Sequence, residues 1–419
     1  MKKFLLPLVC LFVFGTSLFS WDIYSGANGA TKAVLAKVDA LIEKEQYQSA
    51  FSAASVKDCQ EEYLLAKRIE IATNYFAQSI MHQMFAFKNL EEGQTLYDVR
   101  TGTGDYSLIA FDPASAAETY IEENGDKPVL YYALGAYYAD VRGRYGDQWL
   151  IAVDELYKKE AENFRKAYDA GVYDAYSLSE LGLCYFFMED FSSAGEIYKK
   201  KTKEYEFTTM DNYHYGIVLW LSGRAAEGLP YMEKCIEGYA DNPNYQSDAY
   251  IIAARMCLSV PDYDRAEQIL VACKKKYPAD YRITQYSITL YALQNLNYQA
   301  IESSFELFGL ASTNPTVCQL IMQQAQAAGN MGFLPDFFDQ ALKMYAGNDG
   351  AVENLCFHYA YTLYIMERNE EAWSMAQKAK EVFTKNGTLT PDIEETLNQI
   401  GYQALLNAGL SPEAVRDMM

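Results

Sequence analysis

The chain has 419 residues, with 35 Lys and Arg against 56 Asp and Glu, for a net charge of −21. That surplus of acid argues against nucleic acid and anionic lipid as partners. Half the residues are hydrophobic, so a large core can form, and only 11 prolines interrupt what reads as a largely helical chain.

The first 20 residues read as an export leader. Lys2-Lys3 precedes an apolar run from Phe4 to Phe14, and Gly15-Thr16-Ser17 offers small residues for cleavage, with Ser20 as a second position. The run is short for a membrane span. Cys10 lies inside it rather than at its end, which argues against a lipid anchor. Seven cysteines follow, at 59, 184, 235, 257, 273, 318 and 356. No CxxC occurs, so neither a redox motif nor a zinc ribbon is indicated. Most sit at small-residue positions within apolar runs and read as buried thiols, with Cys257 and Cys273 the best disulfide candidate.

Residues 21–88 form an N-terminal helical segment, with Val34, Val38, Leu41, Tyr47 and Ala50 as a first hairpin and 61–88 as one long helix. Residues 89–149 read as an irregular insertion plus the first helix of a divergent repeat. In Glu91 to Lys127 only Ala114–Glu123 has clear helical periodicity, and long irregular stretches are often functional. Pro128 to Tyr138 resumes as a helix, Arg142–Asp147 reads as an inserted loop, and Leu150–Tyr168 supplies the delayed partner helix. Residues 150–384 read as a run of repeats, and 385–419 as capping helices whose polar faces close an open end.

The repeats are read from spacing. Gly182 and Gly216 lie 34 residues apart inside apolar runs, and Ala266 and Ala300 lie 34 apart after Tyr-containing turns. A period near 34 with a small residue at mid-helix means stacked helix pairs, because two helices approach closely only where one side chain is small. The clearest unit is Leu178, Leu181-Gly182, Tyr185, Ala194 and Tyr198, with Lys201 where a second Ala is usual. Further units follow around Tyr215-Gly216, Ala253-Ala254 with Ala266, Tyr291 with Ala300, Cys318 with Ala341, and Ala360 with Ala372, giving six units over 174–384.

This pattern resembles the tetratricopeptide repeat. The resemblance implies an all-α fold, an α-solenoid of antiparallel helix pairs (a tetratricopeptide-like superhelix) with inserted loops near the N-terminal third. It also implies that the first helix of each pair lines a groove. Carried onto this chain, the groove positions hold Tyr176, Phe186, Tyr213, Ile217 and Trp220, then Asp248, Arg255, Arg282 and Gln285, then Gln319, Gln323, Gln326, Phe357, Tyr361 and Tyr364. Members that bind acidic C-terminal peptides use Lys and Asn there, a set this chain lacks. The aromatic start and Gln-rich middle suit an extended peptide or an apolar small ligand. With its leader, the chain also resembles the periplasmic tetratricopeptide proteins that accompany TRAP transporters in spirochaetes.

Chemistry is sparse. His82, His214 and His358 lie far apart and form no metal motif or triad. Thr101-Gly102-Thr103-Gly104-Asp105 lacks the Lys and strand of a phosphate loop, and Asp241-Asn242-Pro243-Asn244 lacks the Gly and Glu of a calcium loop. Asn386-Gly387-Thr388 matches a glycosylation sequon. The expectation is a periplasmic scaffold, not an enzyme, without metal or cofactor. It would bind a protein or peptide, such as a transporter or envelope-assembly component, with a carrier of an apolar small molecule as the alternative.

Overall fold

A computed structural model describes residues 23–80, 84–102, 111–238 and 247–418. The leader, His82, residues 103–105 and the 241–244 segment lie outside them. The described residues hold 21 α-helices and one two-stranded hairpin, an all-α repeat of antiparallel helix pairs. They divide into two compact units, one ending at Ser222 and the other beginning at Gly223. Among them no helix is long and apolar enough to cross a membrane.

The first unit opens with α1 (Gly29–Ile42), α2 (Tyr47–Ala53) and α3 (Glu61–Asn74). The expected long helix over 61–88 is not present. The chain leaves α3 at Tyr75 and forms β1 (Gln78–Ile80) and β2 (Met84–Ala86), paired antiparallel. The cause is a cap supplied from far along the chain. Arg100 donates to the carbonyls of Phe76 (2.9 Å) and Asn74 (3.1 Å), and Arg144 donates to that of Thr73 (3.2 Å). Cations at the end of a helix satisfy its orphan carbonyls and its dipole. The insertion is tied down by rings: Phe51 of α2 stacks on Phe87 at 4.6 Å and meets Phe111 edge-on at 4.9 Å.

Two further helices, α4 (Leu96–Thr101) and α5 (Pro113–Asn124), lead to α6 (Pro128–Tyr145) and α7 (Val153–Asp169). The expected loop at 142–147 is a correction: α6 runs on through Tyr145, and a single 3-10 turn follows. Arg142 is held in that last helical turn by an ion pair to Glu160 at 2.7 Å, where Glu160 is fully buried, and by a hydrogen bond donated to Glu180 at 2.6 Å. A helix pair of repeat type follows in α8 (Ala175–Phe187) and α9 (Phe191–Glu204), and α10 (Thr209–Leu221) closes the unit.

The small residues do what their spacing implies. A Cβ on Gly182 would lie 2.7 Å from the ring of buried Tyr198, and one on Gly135 would lie 2.6 Å from that of Phe164. Each second helix thus drives an aromatic ring into the gap left by a glycine on the first. Lys201, the departure from the repeat pattern, is buried. Its Nζ lies 2.6 Å from Asp211 and also bonds Ser179, and Asp211 in turn closes the capping box of α10 with Thr208.

The second unit comprises α11 (Ala225–Gly238), α12 (Asp248–Ser259), α13 (Tyr263–Lys276), α14 (Tyr281–Leu293), α15 (Asn297–Leu310), α16 (Pro315–Ala327), α17 (Leu334–Met344), α18 (Asp349–Ile365), α19 (Asn369–Asn386), α20 (Pro391–Asn407) and α21 (Pro412–Met418). First helices pack side by side, α12 on α14, α14 on α16, α16 on α18 and α18 on α20. One turn recurs between first and second helices. A residue of positive φ (Asn295, Gly329 or Glu367) is followed by an amide that bonds five residues back: Leu296 to Tyr291 (2.9 Å), Asn330 to Ala325 (3.0 Å) and Arg368 to Leu363 (3.0 Å). The first unit repeats it at Glu189, with Asp190 bonded to Tyr185 at 2.9 Å. This backbone closure satisfies the last carbonyls of the helix.

All seven described cysteines are free, and all but Cys59 are buried. Cys257 and Cys273 form no disulfide. Burial pushes their thiols up to about 11 and about 12, so they are inert small hydrophobes.

Candidate functional site

One candidate is a pocket of about 410 Å³ in the second unit, on the face of α16, α18 and α20. α16 supplies Gln319, Met322, Gln323 and Gln326. Their i, i+3, i+4, i+7 spacing puts all four on one side of the helix. α18 supplies Phe357, His358, Tyr361 and Ile365, again mostly one turn apart. Met331, in the turn after α16, and Thr396 of α20 complete it. Asn314 caps the start of α16 and Asn348 that of α18, which fixes both faces.

The pocket is open and uncharged. Gln319, Gln323 and Gln326 are exposed, and Tyr361 keeps 44% of its surface. α16 carries no charged residue, and α18 has only Asp349 and Glu353, both near its start. Glu394 and Glu395 precede Thr396 on α20 but do not line the pocket. His358 is buried, and its Nδ1 lies 2.9 Å from the Asn354 carbonyl. A carbonyl only accepts, so Nδ1 carries the proton and Nε2 is an acceptor. Burial holds the ring below the usual imidazole range, which keeps it neutral.

The sequence-derived groove set is thus split. Gln319, Gln323, Gln326, Phe357 and Tyr361 come together in one pocket. On the same row of first helices, Gln285 is half-buried on α14 and Arg255 is exposed on α12, 5.5 Å from the Tyr286 ring. Arg282 is engaged inside the repeat, bonded to Asp248 (2.5 Å), Asp280 (2.6 Å) and Ser247 (2.9 Å). Tyr176, Phe186, Tyr213, Trp220 and the buried Ile217 lie in the first unit. Phe186 packs on His214 with centroids 5.0 Å apart, Tyr213 is buried against the same ring, Tyr176 meets Phe164 edge-on, and Trp220 is half-buried on α10. The groove set read from sequence lacked Met322, Met331, His358, Ile365 and Thr396. The signal for Ile365 was its place four residues after Tyr361. Thr396 had none, because α20 read as a terminal cap.

No family profile matches the chain, and no curated protein is similar to it. Among solved structures, the chain is similar to YrrB, described as a tetratricopeptide protein with an unusual peptide-binding site, at 16% identity and a TM-score of 0.40 over 50% of this chain and 98% of that one. A tetratricopeptide repeat protein from Parabacteroides merdae is similar at 10% identity and a TM-score of 0.35, over 89% of this chain and 99% of that one. The Naa15/Naa10 structure bound to HypK-THB reaches a TM-score of 0.45 at 10% identity, over 90% of this chain but 55% of that one. These likenesses, all below a TM-score of 0.5, say nothing of what the chain binds. By its 34-residue spacing, its glycine-and-ring crossings and its recurrent hairpin turn, the chain is a tetratricopeptide-type repeat protein in its fold.

Proposed function

We propose that the chain is a scaffold that binds a protein or peptide partner through the α16–α18–α20 face, and that it acts in the periplasm after losing its leader. One observation carries the binding reading: five side chains expected on a groove from sequence alone line one open pocket with exposed aromatic and amide groups. Open, amide-rich lining suits a segment of extended chain, whereas a carrier of a small apolar molecule needs enclosure. Arg255 and Gln285 would continue the contact along neighbouring first helices. Tyr176, Phe186, Tyr213, Arg282 and Trp220 would contribute by shaping the repeats. Export is supported by the basic start, the apolar run and the small residues near Ser17 and Ser20.

Crosslinking and pull-down from the native envelope, with wild type beside Tyr361→Ala and Gln323→Ala, tests the binding reading. Both variants should lose the partner while keeping wild-type helicity by circular dichroism. Full retention by both would refute the pocket as the contact. Native mass spectrometry that finds a stoichiometric small molecule, released by the same variants, would favour the carrier instead. Sequencing of the mature N-terminus should find a cut after Ser17 or Ser20.

A further inference from the structure

The pocket also carries information about the class of segment it takes, an inference that rests on the peptide reading above. In a chain of net charge −21, the whole lining is uncharged: three glutamines, a threonine, a tyrosine, a neutral histidine and apolar groups. A carboxylate terminus or a basic segment would find no counter-charge there and would give up its hydration for nothing in return. The buried polar group is His358. Its Nδ1–H is committed to the Asn354 carbonyl, so the ring nitrogen left for a ligand is Nε2, which only accepts. Around it, Met322, Met331, Phe357 and Ile365 form an apolar wall, and methionines adapt to varied shapes. The glutamines of α16 lie along one line and offer both donors and acceptors, as a peptide backbone requires.

We infer that the pocket recognises an internal, uncharged segment of extended polypeptide, with a large apolar side chain against Phe357 and Met322 and an N–H donor to His358 Nε2. A free chain terminus is not part of the recognised feature.

The test is selection from a phage-displayed dodecapeptide library against the full chain, followed by calorimetry with synthetic winners carrying amidated and free C-termini. Enriched peptides should be uncharged and bear a large apolar residue. Their affinity should change less than about twofold between amidated and free ends, and between 50 and 500 mM salt, because no ion pair is screened. His358→Phe, which keeps a ring but removes the acceptor, should weaken them about tenfold, the worth of one hydrogen bond. His358→Asn, with a carbonyl oxygen that can accept, should recover part of that loss. Winners that are charged, or that need a free carboxylate, or that ignore His358→Phe would overturn this inference and leave the peptide reading standing. Winners that bind equally well to Tyr361→Ala, or no enrichment at all, would overturn the peptide reading and this inference with it.

Discussion

Two glycines in one hairpin should respond to the same substitution with opposite sign. Gly182 of α8 and Gly195 of α9 are both helical, and Gly→Ala in a helix ordinarily stabilises by about 1 kcal/mol. At Gly195 the added methyl would sit 3.6 Å from Val218, an ordinary contact, so the full gain is expected. At Gly182 it would lie 2.7, 2.9 and 3.0 Å from three ring atoms of Tyr198. That ring is buried and hemmed by Phe207 at 6.1 Å and Tyr215 at 5.7 Å, so it has little room to retreat. Overpacking of this kind costs about 1–3 kcal/mol, which leaves Gly182→Ala a net loss of up to about 2 kcal/mol. Urea unfolding, with amide exchange across α8 and α9 as the local readout, measures both. Shortening the ring should remove the conflict, so Gly182→Ala with Tyr198→Leu should show coupling of at least about 1 kcal/mol. Stabilisation by Gly182→Ala comparable to that by Gly195→Ala would refute the close crossing on which the repeat geometry rests.

Three further outcomes are expected. Lys201→Met leaves buried Asp211 without its counter-charge and should cost about 3–5 kcal/mol, most of it recovered by adding Asp211→Asn, as read by thermal or urea midpoints. Glu189→Gly and Glu367→Gly remove exposed side chains from left-handed turns (φ 60° at each) and should each raise stability by about 0.5–1 kcal/mol; a loss would show that these side chains hold the turns. The Glu180 carboxyl is pushed up from its ordinary 4.5 to about 8, chiefly by burial and against the opposing pull of Arg142. The folded state therefore keeps a proton that the unfolded chain releases, and stability falls as pH rises from about 4.5 to about 8. Glu180→Gln should flatten that part of the urea-midpoint profile, and an unchanged slope would contradict the assignment.

The repeat was legible because its physical requirement is local. A small residue must recur where two helices cross, and Gly182 and Ala266 announce it. The glutamine face of α16 was legible for the same reason, since i, i+3, i+4, i+7 spacing names a face without reference to anything else. What stayed hidden depends on distant partners. Lys201 read as a flaw until Asp211 and Ser179 supplied its site. Arg142 read as part of a loop because Glu160 and Glu180, which hold it, lie on other helices. The turn residues Glu189, Asn295, Gly329 and Glu367 share a backbone conformation but no side-chain chemistry, so composition alone could not mark them. Residues 75–88 carry the apolar content of a helix, and the arginines that meet the end of α3 lie beyond them.

Those arginines have a consequence for the order of assembly. Arg144 lies 71 residues after the Thr73 carbonyl it caps, and Arg100 lies 24 after that of Phe76. A chain delivered N-terminus first would hold the tail of α3 unsealed until α6 had emerged. Maturation of this region then waits on a span of nascent chain much longer than one hairpin. Truncations ending between α3 and Arg144 should be captured as protease-sensitive species, whereas those ending just beyond it should not.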